Sequence, residues 1–331
     1  MPTLKGGGFT KRMRREANTP LPTGLLRRIV PLMRGNGRPT TGVLLHHVPS
    51  WRLGLRPQAL GPLGRMGNLE VRLARTVSEV KRAQALRYKI FYEEKSALPD
   101  PRTQATRRDA DQFDALCDHM LVLDHDVSEY GGFSRRKRPK IVGTYRLLRQ
   151  DIADRNEGFY SAGEFDLQPL LDRKPGLNIL ELGRSCVLKP YRTKRTVELL
   201  WHGVWSYVLM HKCDMMIGCA SFEGTNTSDL AVPLSFLHHH CAAPEEWNVK
   251  ALPDLATNMN VLAKEQVNMR AAMQAMPPLV KGYLRIGAYI GEGAVIDYQF
   301  NTTDVLILLP VSAISDRYIR YYGEDASRYA N

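Results

Sequence analysis

The sequence predicts an α/β chain with one mixed, mostly antiparallel sheet flanked by helices. Three observations carry that expectation. Strand and helix periodicities alternate irregularly: a strand, a helix, several strands, a helix, a strand, a helix and further strands, without the regular repeat of a doubly wound fold. The 331 residues are 44% hydrophobic, enough for a sizeable core. No window reaches the 18 or more apolar residues of a membrane span.

Charge divides the chain. Twelve of the Lys/Arg and one acidic residue, Glu16, lie before residue 70, so nearly all of the +12 net charge sits there. Residues 1–68 are also rich in Gly and Pro and read as a basic, disordered or membrane-peripheral segment. Such a start suits an organelle transit peptide, a peripheral anchor to anionic lipid, or a solvated tail. Its sparse aromatics, Phe9 and Trp51, argue against a nucleic-acid arm. Residues 69–331 form the folded domain, with an extension at 224–276. The five cysteines show no C-x-x-C spacing and read as reduced thiols of a cytosolic protein, not a disulfide framework or zinc site.

Leu69 to Ala74 alternates apolar and charged residues and predicts the first strand. Ser78 is the expected N-cap of a helix carrying Val80, Ala83, Leu86, Arg87, Ile90 and Phe91. Taken alone, Arg87 reads as an exposed helical arginine. Residues 109–114 place three carboxylates in six positions, a cluster suited to a cation or an amine. It lacks the glycine and distal glutamate of a calcium loop. His119 to Leu123 and Lys140 to Leu148 predict an antiparallel pair joined by a basic linker at 135–140. Arg146, inside a strand, calls for an anionic partner.

Ser161 and Glu164 have capping-box spacing. Residues 178–195 follow: an apolar strand carrying Glu181 and Arg184, then a cationic turn with Arg192, Lys194 and Arg195. A broadly apolar helix comes next, with Leu200, Trp201, Val204, Trp205 and Val208. A strand in an apolar setting that holds a carboxylate and a guanidinium, followed by a cationic turn at a helix N-terminus, suggests a site for an anionic substrate. Met215 to Phe222 predicts a buried strand, and Ser228 to His240 a helix. The adjacent His238, His239 and His240 point about 100° apart and cannot chelate together. A Met-rich helix is expected at 255–275, strands at Leu279 to Tyr289 and Asp304 to Pro310, and a helical tail at Asp316 to Tyr322. The glycines 287, 291 and 293 lack the strand–glycine–helix context of a dinucleotide site.

Arg87 with Phe91, Asp111-x-x-Asp114, Gly143-x-x-Arg146-Leu147 and Glu181-x-x-Arg184, in that order, resemble the signature of acyl-homoserine-lactone synthases. These belong to the GNAT acyltransferase superfamily and use acyl carrier protein. Leu180-Glu-Leu-Gly-Arg-Ser-Cys-Val, Gly218-Cys-Ala-Ser-Phe-Glu-Gly-Thr, Pro277-Pro-Leu-Val-Lys-Gly-Tyr-Leu-Arg-Ile-Gly-Ala and Phe300-Asn-Thr-Thr-Asp-Val look like the bacterial ornithine N-acyltransferases. The resemblance covers residues 69–322. It implies a GNAT-like fold with a helical C-terminal extension and transfer of a 3-hydroxyacyl chain from acyl carrier protein to L-ornithine. No resident cofactor is implied, since phosphopantetheine arrives on the donor, and no metal. The implied location is the cytoplasm, peripheral on the inner membrane, with residues 1–68 on anionic lipid and no nucleic-acid partner. The turn at 191–196 lacks the glycines of an acyl-CoA pyrophosphate loop, which disfavours acetyl-CoA.

Roles follow from the resemblance. Glu181 is the expected proton acceptor, with a structural Glu181–Arg184 pair as the competing reading. Asp111 and Asp114 would hold the substrate ammonium groups, and Arg87 or Arg146 its carboxylate. Arg192, Thr193, Lys194, Arg195 and Thr196 would meet the phosphopantetheine phosphate. Backbone N–H groups at Cys186, Val187 and Leu188 would form the oxyanion site, and Phe91, Trp201, Trp205 and Phe222 would wall the acyl chain. A homoserine-lactone synthase, and a non-catalytic basic protein that binds membrane or nucleic acid, are the competing functions.

Overall fold

The computed structural model describes residues 61–131 and 136–322. Residues 1–60 of the basic segment expected at 1–68 lie outside the described residues, whereas Gly64–Met66 within it form a strand, so the fold starts before the expected boundary. The first described element is β1 (Gly64–Met66), which pairs antiparallel with β2 (Leu69–Leu73). Helix α1 (Val77–Tyr88) continues into a π-helical stretch, Lys89–Glu94. Its N-cap is Thr76 and not Ser78, because the Thr76 hydroxyl accepts the Glu79 N–H. Helix α2 (Pro101–Thr106), β3 (Asp118–Gly131), β4 (Arg136–Arg149) and α3 (Gln150–Ala153) come next. The linker expected at 135–140 is thus strand from Arg136 onward. Short elements β5 (Phe165–Asp166) and α4 (Gln168–Arg173) lead to β6 (Ile179–Val187), α5 (Lys194–His211), β7 (Met215–Glu223) and α6 (Ala231–His240). The chain continues through β8 (Lys250–Ala251), β9 (Ala256–Thr257), α7 (Met269–Ala275), α8 (Pro278–Ile286), β10 (Tyr289–Asp297), β11 (Thr302–Pro310) and α9 (Asp316–Tyr322).

Two expectations for the last third are corrected. The segment expected as a strand from Leu279 is helix α8, with Pro278 in its first turn and Gly287 closing it at φ +107°. Its apolar residues Val280, Tyr283 and Ile286 recur every third position and face the core. The Met-rich helix is only α7, because Asn268 caps it through its side chain and the polar residues before it form turns. Gly291 lies where an added Cβ would meet Val249 O at 2.8 Å, and Gly293, at φ +87°, marks a bulge in β10. Backbone demands therefore explain the glycine pattern.

The sheet runs β1-β2-β3-β4-β6-β7-β11-β10-β8-β5, with β9 also on β10. Neighbours are antiparallel except β6–β7 and β10–β8. Alternation along β7 and β11 sends Met216, Ala220, Phe222, Val305 and Ile307 into the larger core with α5, α6 and α8. It sends Ile217, Leu306 and Leu308 into a second cluster with Phe159, Phe165 and Leu170.

One irregularity creates the site. Strands β6 and β7 pair in parallel for three residues only, Ile179↔Met215, Leu180↔Met216 and Glu181↔Ile217, and then separate. At the fork a Cβ on Gly218 would lie 2.3 Å from Leu182 O, so the backbones meet there as only glycine allows. Just beyond, β6 carries an extra residue relative to β4: Thr144 pairs with Cys186 and Arg146 with Gly183. The bulge holds Arg184 at φ +51° and turns its side chain out of strand alternation.

Candidate active site

Beyond the fork lies a cavity of about 570 Å³. Both strands line it, at Glu181–Val187 and Cys219–Ser221, together with the π-helical stretch, α5, α8 and the end of the β10–β11 hairpin. One part is apolar, with Ile90, Phe91, Leu200, Trp201, Leu279 and Tyr283. The other is polar, with Glu181, Arg184, Asp297 and Asp304.

The four sequence motifs converge beside this cavity as a buried ion network. Arg87 is 1% exposed. Its Nε donates to Asp109 Oδ2 at 2.7 Å, and its Nη2 to both oxygens of Asp114 at 2.8 Å. Arg146 Nη1 donates to Asp111 at 2.6 and 2.7 Å. Arg184 Nη2 donates to Asp111 Oδ2 at 3.3 Å, and its Nε lies 3.4 Å from Asp109 Oδ2. Three arginines meet three aspartates, which balances the charge that burial alone would forbid. Asp111 and Asp114 also cap each other's backbone N–H groups. Burial pushes the Asp114 carboxyl up, but the guanidiniums of Arg87 and Arg146 outweigh it and hold it at about 2. The exposed-arginine reading of Arg87 is therefore corrected, and Asp111 and Asp114 are already saturated by arginine.

Arg184 lies between aromatic rings, 4.7 Å from the centres of both Tyr160 and Phe300. Glu181, 4% exposed, does not pair with it. Glu181 Oε1 accepts the Ser161 N–H at 2.7 Å and the Ser161 hydroxyl at 2.5 Å, and Oε2 accepts the Tyr160 N–H at 2.8 Å. Ser161 is thus a partner of Glu181 and not a helix cap. The turn it anchors carries Tyr160 onto Arg184. A lone pair of Oε2 stays unused by these contacts.

Other predicted residues divide by position. Phe91 and Trp201 line the cavity, and Phe91 meets Phe300 edge-on at 5.7 Å. Trp205 and Phe222 do not line it; both are buried in the core between sheet and helices. Cys186 and Val187 line it, whereas the Leu188 N–H is committed to Val142 O at 2.9 Å. Burial pushes the Cys186 thiol up to about 12, so it stays protonated at neutral pH. Thr193 caps α5 by accepting the Thr196 N–H, and Thr196 is buried. Arg192 reaches the cavity but pairs with Glu94 through Nη2 at 2.8 Å. Arg195 donates to Met66 O, while Lys194 projects outward, its side chain 88% exposed.

A second set of acids escaped sequence reasoning. Carboxylate oxygens of Glu164, Asp297 and Asp304 lie within 4.8 Å of one another. Burial, then Asp304, pushes the Glu164 carboxyl up to about 7; burial raises Asp304 to about 6. The available signal was Asp304 itself, an acid at an inward position of a strand that is otherwise apolar from Val305 to Leu309.

The chain compares closely with known enzymes. Residues 86–202 match the acetyltransferase (GNAT) domain family. An L-ornithine N(alpha)-acyltransferase of Rhizobium meliloti is 52% identical over 269 residues, covering 81% of this chain and 89% of that protein. One of Agrobacterium fabrum is 54% identical over 268 residues, with the same coverage. An N-acyl amino acid synthase structure from uncultured soil microbes overlays with a TM-score of 0.40 at 10% identity, covering 74% of this chain and 91% of that one. With this identity over most of both chains, the protein is an acyltransferase of the GNAT superfamily and belongs to the L-ornithine N(alpha)-acyltransferase family.

Proposed function

We propose that the chain transfers a 3-hydroxyacyl group from acyl carrier protein to the α-amine of L-ornithine, giving lyso-ornithine lipid in the first step of ornithine-lipid formation. The observation that carries this reading is the fork cavity, apolar in one part and charged in the other. The apolar part, with Phe91, Leu200, Trp201 and Tyr283, takes the acyl chain. Past Glu181, β6 has no β7 residue opposite it, so its free edge can take the amides of a pantetheine arm. The arm's phosphate then meets Lys194, Arg195 and the N-terminus of α5, where N–H groups and dipole favour an anion. Phosphopantetheine travels on the donor, and this reading needs no resident cofactor.

Ornithine arrives protonated at its α-nitrogen. Glu181 Oε2 takes that proton on its unused lone pair, and the amine attacks the thioester carbon. A backbone N–H of Cys186 or Val187 stabilises the oxyanion. As the tetrahedral species collapses, the C–N bond is kept, the C–S bond breaks, and the proton that the attacking nitrogen gives up passes to the pantetheine sulfur, which leaves as a thiol. Transfer is direct, because a Cys186 thiol held near 12 is a poor nucleophile. Arg184 offers its charge to the ornithine carboxylate.

The product is amphiphilic, which suits an enzyme working in the cytoplasm at the inner-membrane surface, with the basic N-terminal segment on anionic lipid. Among the described residues no helix is long and apolar enough to cross a membrane. Incubating the protein with 3-hydroxyacyl carrier protein and a panel of amino acids, then analysing lipids by mass spectrometry, tests the reading. Acylation of ornithine above the other acceptors is expected; an S-adenosylmethionine-derived lactone, or no acyl transfer, would overturn it.

A further inference from the structure

Two groups of carboxylates with opposite fates lie at or beside the cavity. Asp109, Asp111 and Asp114 are each bound by arginine. Glu164, Asp297 and Asp304 are bound by no Lys or Arg among the described residues, although their oxygens lie within 4.8 Å of one another. Strand register explains how they meet. Asp304 of β11 stands opposite Ser221 of β7, and Asp297 of β10 stands opposite Thr302 of β11. Period-two alternation puts Asp297, Thr302, Asp304, Cys219 and Ser221 on one face of the sheet, where all five line the cavity. Glu164 closes the group from the turn after Ser161 and accepts the Cys219 thiol at 3.3 Å.

Asp304 is the informative member. It is 6% exposed, and its Oδ1 is buried without a hydrogen-bond partner. The Thr302 and Ser221 hydroxyls lie beside this carboxyl and pull it down as weak donors, without meeting Oδ1 in hydrogen-bonding geometry. An acceptor in that state costs free energy unless a donor arrives from elsewhere. Asp297, by contrast, already accepts the Phe300 N–H at 2.9 Å.

We propose that Asp304, with Asp297 and Glu164, seats the side-chain ammonium of the acceptor amino acid and so restricts the acceptor to a diamino acid. The inference rests on the amino-acid N-acyltransferase reading above and extends it to the residues that choose the acceptor. A primary ammonium brings three N–H donors and one positive charge, a match for three carboxyls around one point. A divalent cation demands about six oxygens or more, with waters to complete the shell. Arg184 lines the same cavity and supplies the opposite charge for the α-carboxylate. Burial, with lesser contributions from the neighbouring carboxylates, raises Glu164 and Asp304, and an ammonium seated among them opposes both effects.

The test uses the full-length enzyme and its Asp304→Asn and Glu164→Gln variants, with ornithine and norvaline, which is ornithine without the terminal amine, as competing acceptors. Asp304→Asn should lower the kcat/KM preference for ornithine over norvaline by about ten- to a hundredfold, the range for losing one hydrogen bond to a charged group. The loss should fall on ornithine more than on norvaline, and thermal melting should stay at or above wild type, since a repulsive charge is removed. Glu164→Gln should act in the same direction and more weakly. An unchanged ornithine-to-norvaline ratio in both variants would overturn the proposal. So would wild-type activity that EDTA abolishes and magnesium or calcium restores, with metal binding lost in Asp304→Asn. If wild type prefers another cationic acceptor, the ornithine reading fails while the seat survives, provided Asp304→Asn removes that preference. If wild type prefers a neutral acceptor, both fail.

Discussion

Replacing Arg87 by methionine removes the residue on which the buried ion network converges. Arg87 is 1% exposed and serves Asp109 and Asp114 at 2.7 and 2.8 Å. Without it Asp114 keeps Arg146 at 3.7 Å and the Gln84 amide at 3.1 Å, and Asp109 keeps Arg184 at 3.4 Å. Two buried carboxylates thus lose their shortest cationic contact while methionine fills the volume. Breaking a buried pair from one side costs about 3–5 kcal/mol. At about 2–4 °C per kcal/mol for a domain of this size, melting should fall by about 6–20 °C. Urea unfolding read by circular dichroism should give a lower midpoint at constant slope. Lys95→Ala, which removes an exposed pair with Glu223, should cost less than about 1 kcal/mol. Acid adds a second readout. Asp114 sits at about 2, below its ordinary 3.8, so its contribution is complete above pH 3.8 and disappears as the pH falls through 2. Losing Arg87 raises that carboxyl and moves acid unfolding to higher pH. An Arg87→Met protein within about 1 kcal/mol of wild type but with a raised ornithine KM would overturn the structural role of Arg87. It would return Arg87 to a substrate contact.

Further outcomes follow from the same geometry. Glu181→Gln should lose most turnover, and because its amide NH₂ would face N–H donors it should also cost about 1–3 kcal/mol of stability. Ser161→Ala removes a hydroxyl donor but no proton acceptor, so stability should fall with turnover largely kept; equal loss of turnover in both variants would make Glu181 only an anchor. Ornithine KM should rise as pH drops through about 7 and 6, where Glu164 and then Asp304 take up protons. The neighbours facing them are Glu181, Arg184, Tyr160, Cys219 and Asp297. Since both values are raised on folding, the ligand-free protein should lose stability as pH rises from about 4 to 7, and a flat melting profile would contradict this. Deleting residues 1–60 should leave soluble acyl transfer intact and weaken binding to anionic vesicles, and unchanged vesicle binding would remove the anchor.

The sequence was most legible where one local signal acts alone. Strands β6, β7 and β11 and helix α5 stood out by periodicity. Helix α8 was misread because Leu279-Val280 looks like the start of a strand, while the deciding features were Pro278 and the left-handed Gly287. The motif residues were found, but their partners were not. Arg87 reads as exposed until β3 and the 109–114 loop fold over it. Glu181 and Arg184 look like a pair by spacing, yet the β6 bulge turns Arg184 toward Asp109 and Asp111. Trp205 follows Trp201 by one helical turn, but only Trp201 reaches the cavity. Glu164 is more than a hundred residues from Asp297 and Asp304, and only the fold brings it to their hairpin.

The central claim is that the cavity holds the far ammonium of ornithine while the near amine attacks. Tandem mass spectrometry of the product from 3-hydroxyacyl carrier protein and L-ornithine tests this most directly. The expected product is an amide at the α-nitrogen with the δ-amine free, formed faster from the carrier-bound donor than from the matching acyl-CoA. Acylation at the δ-nitrogen would contradict it.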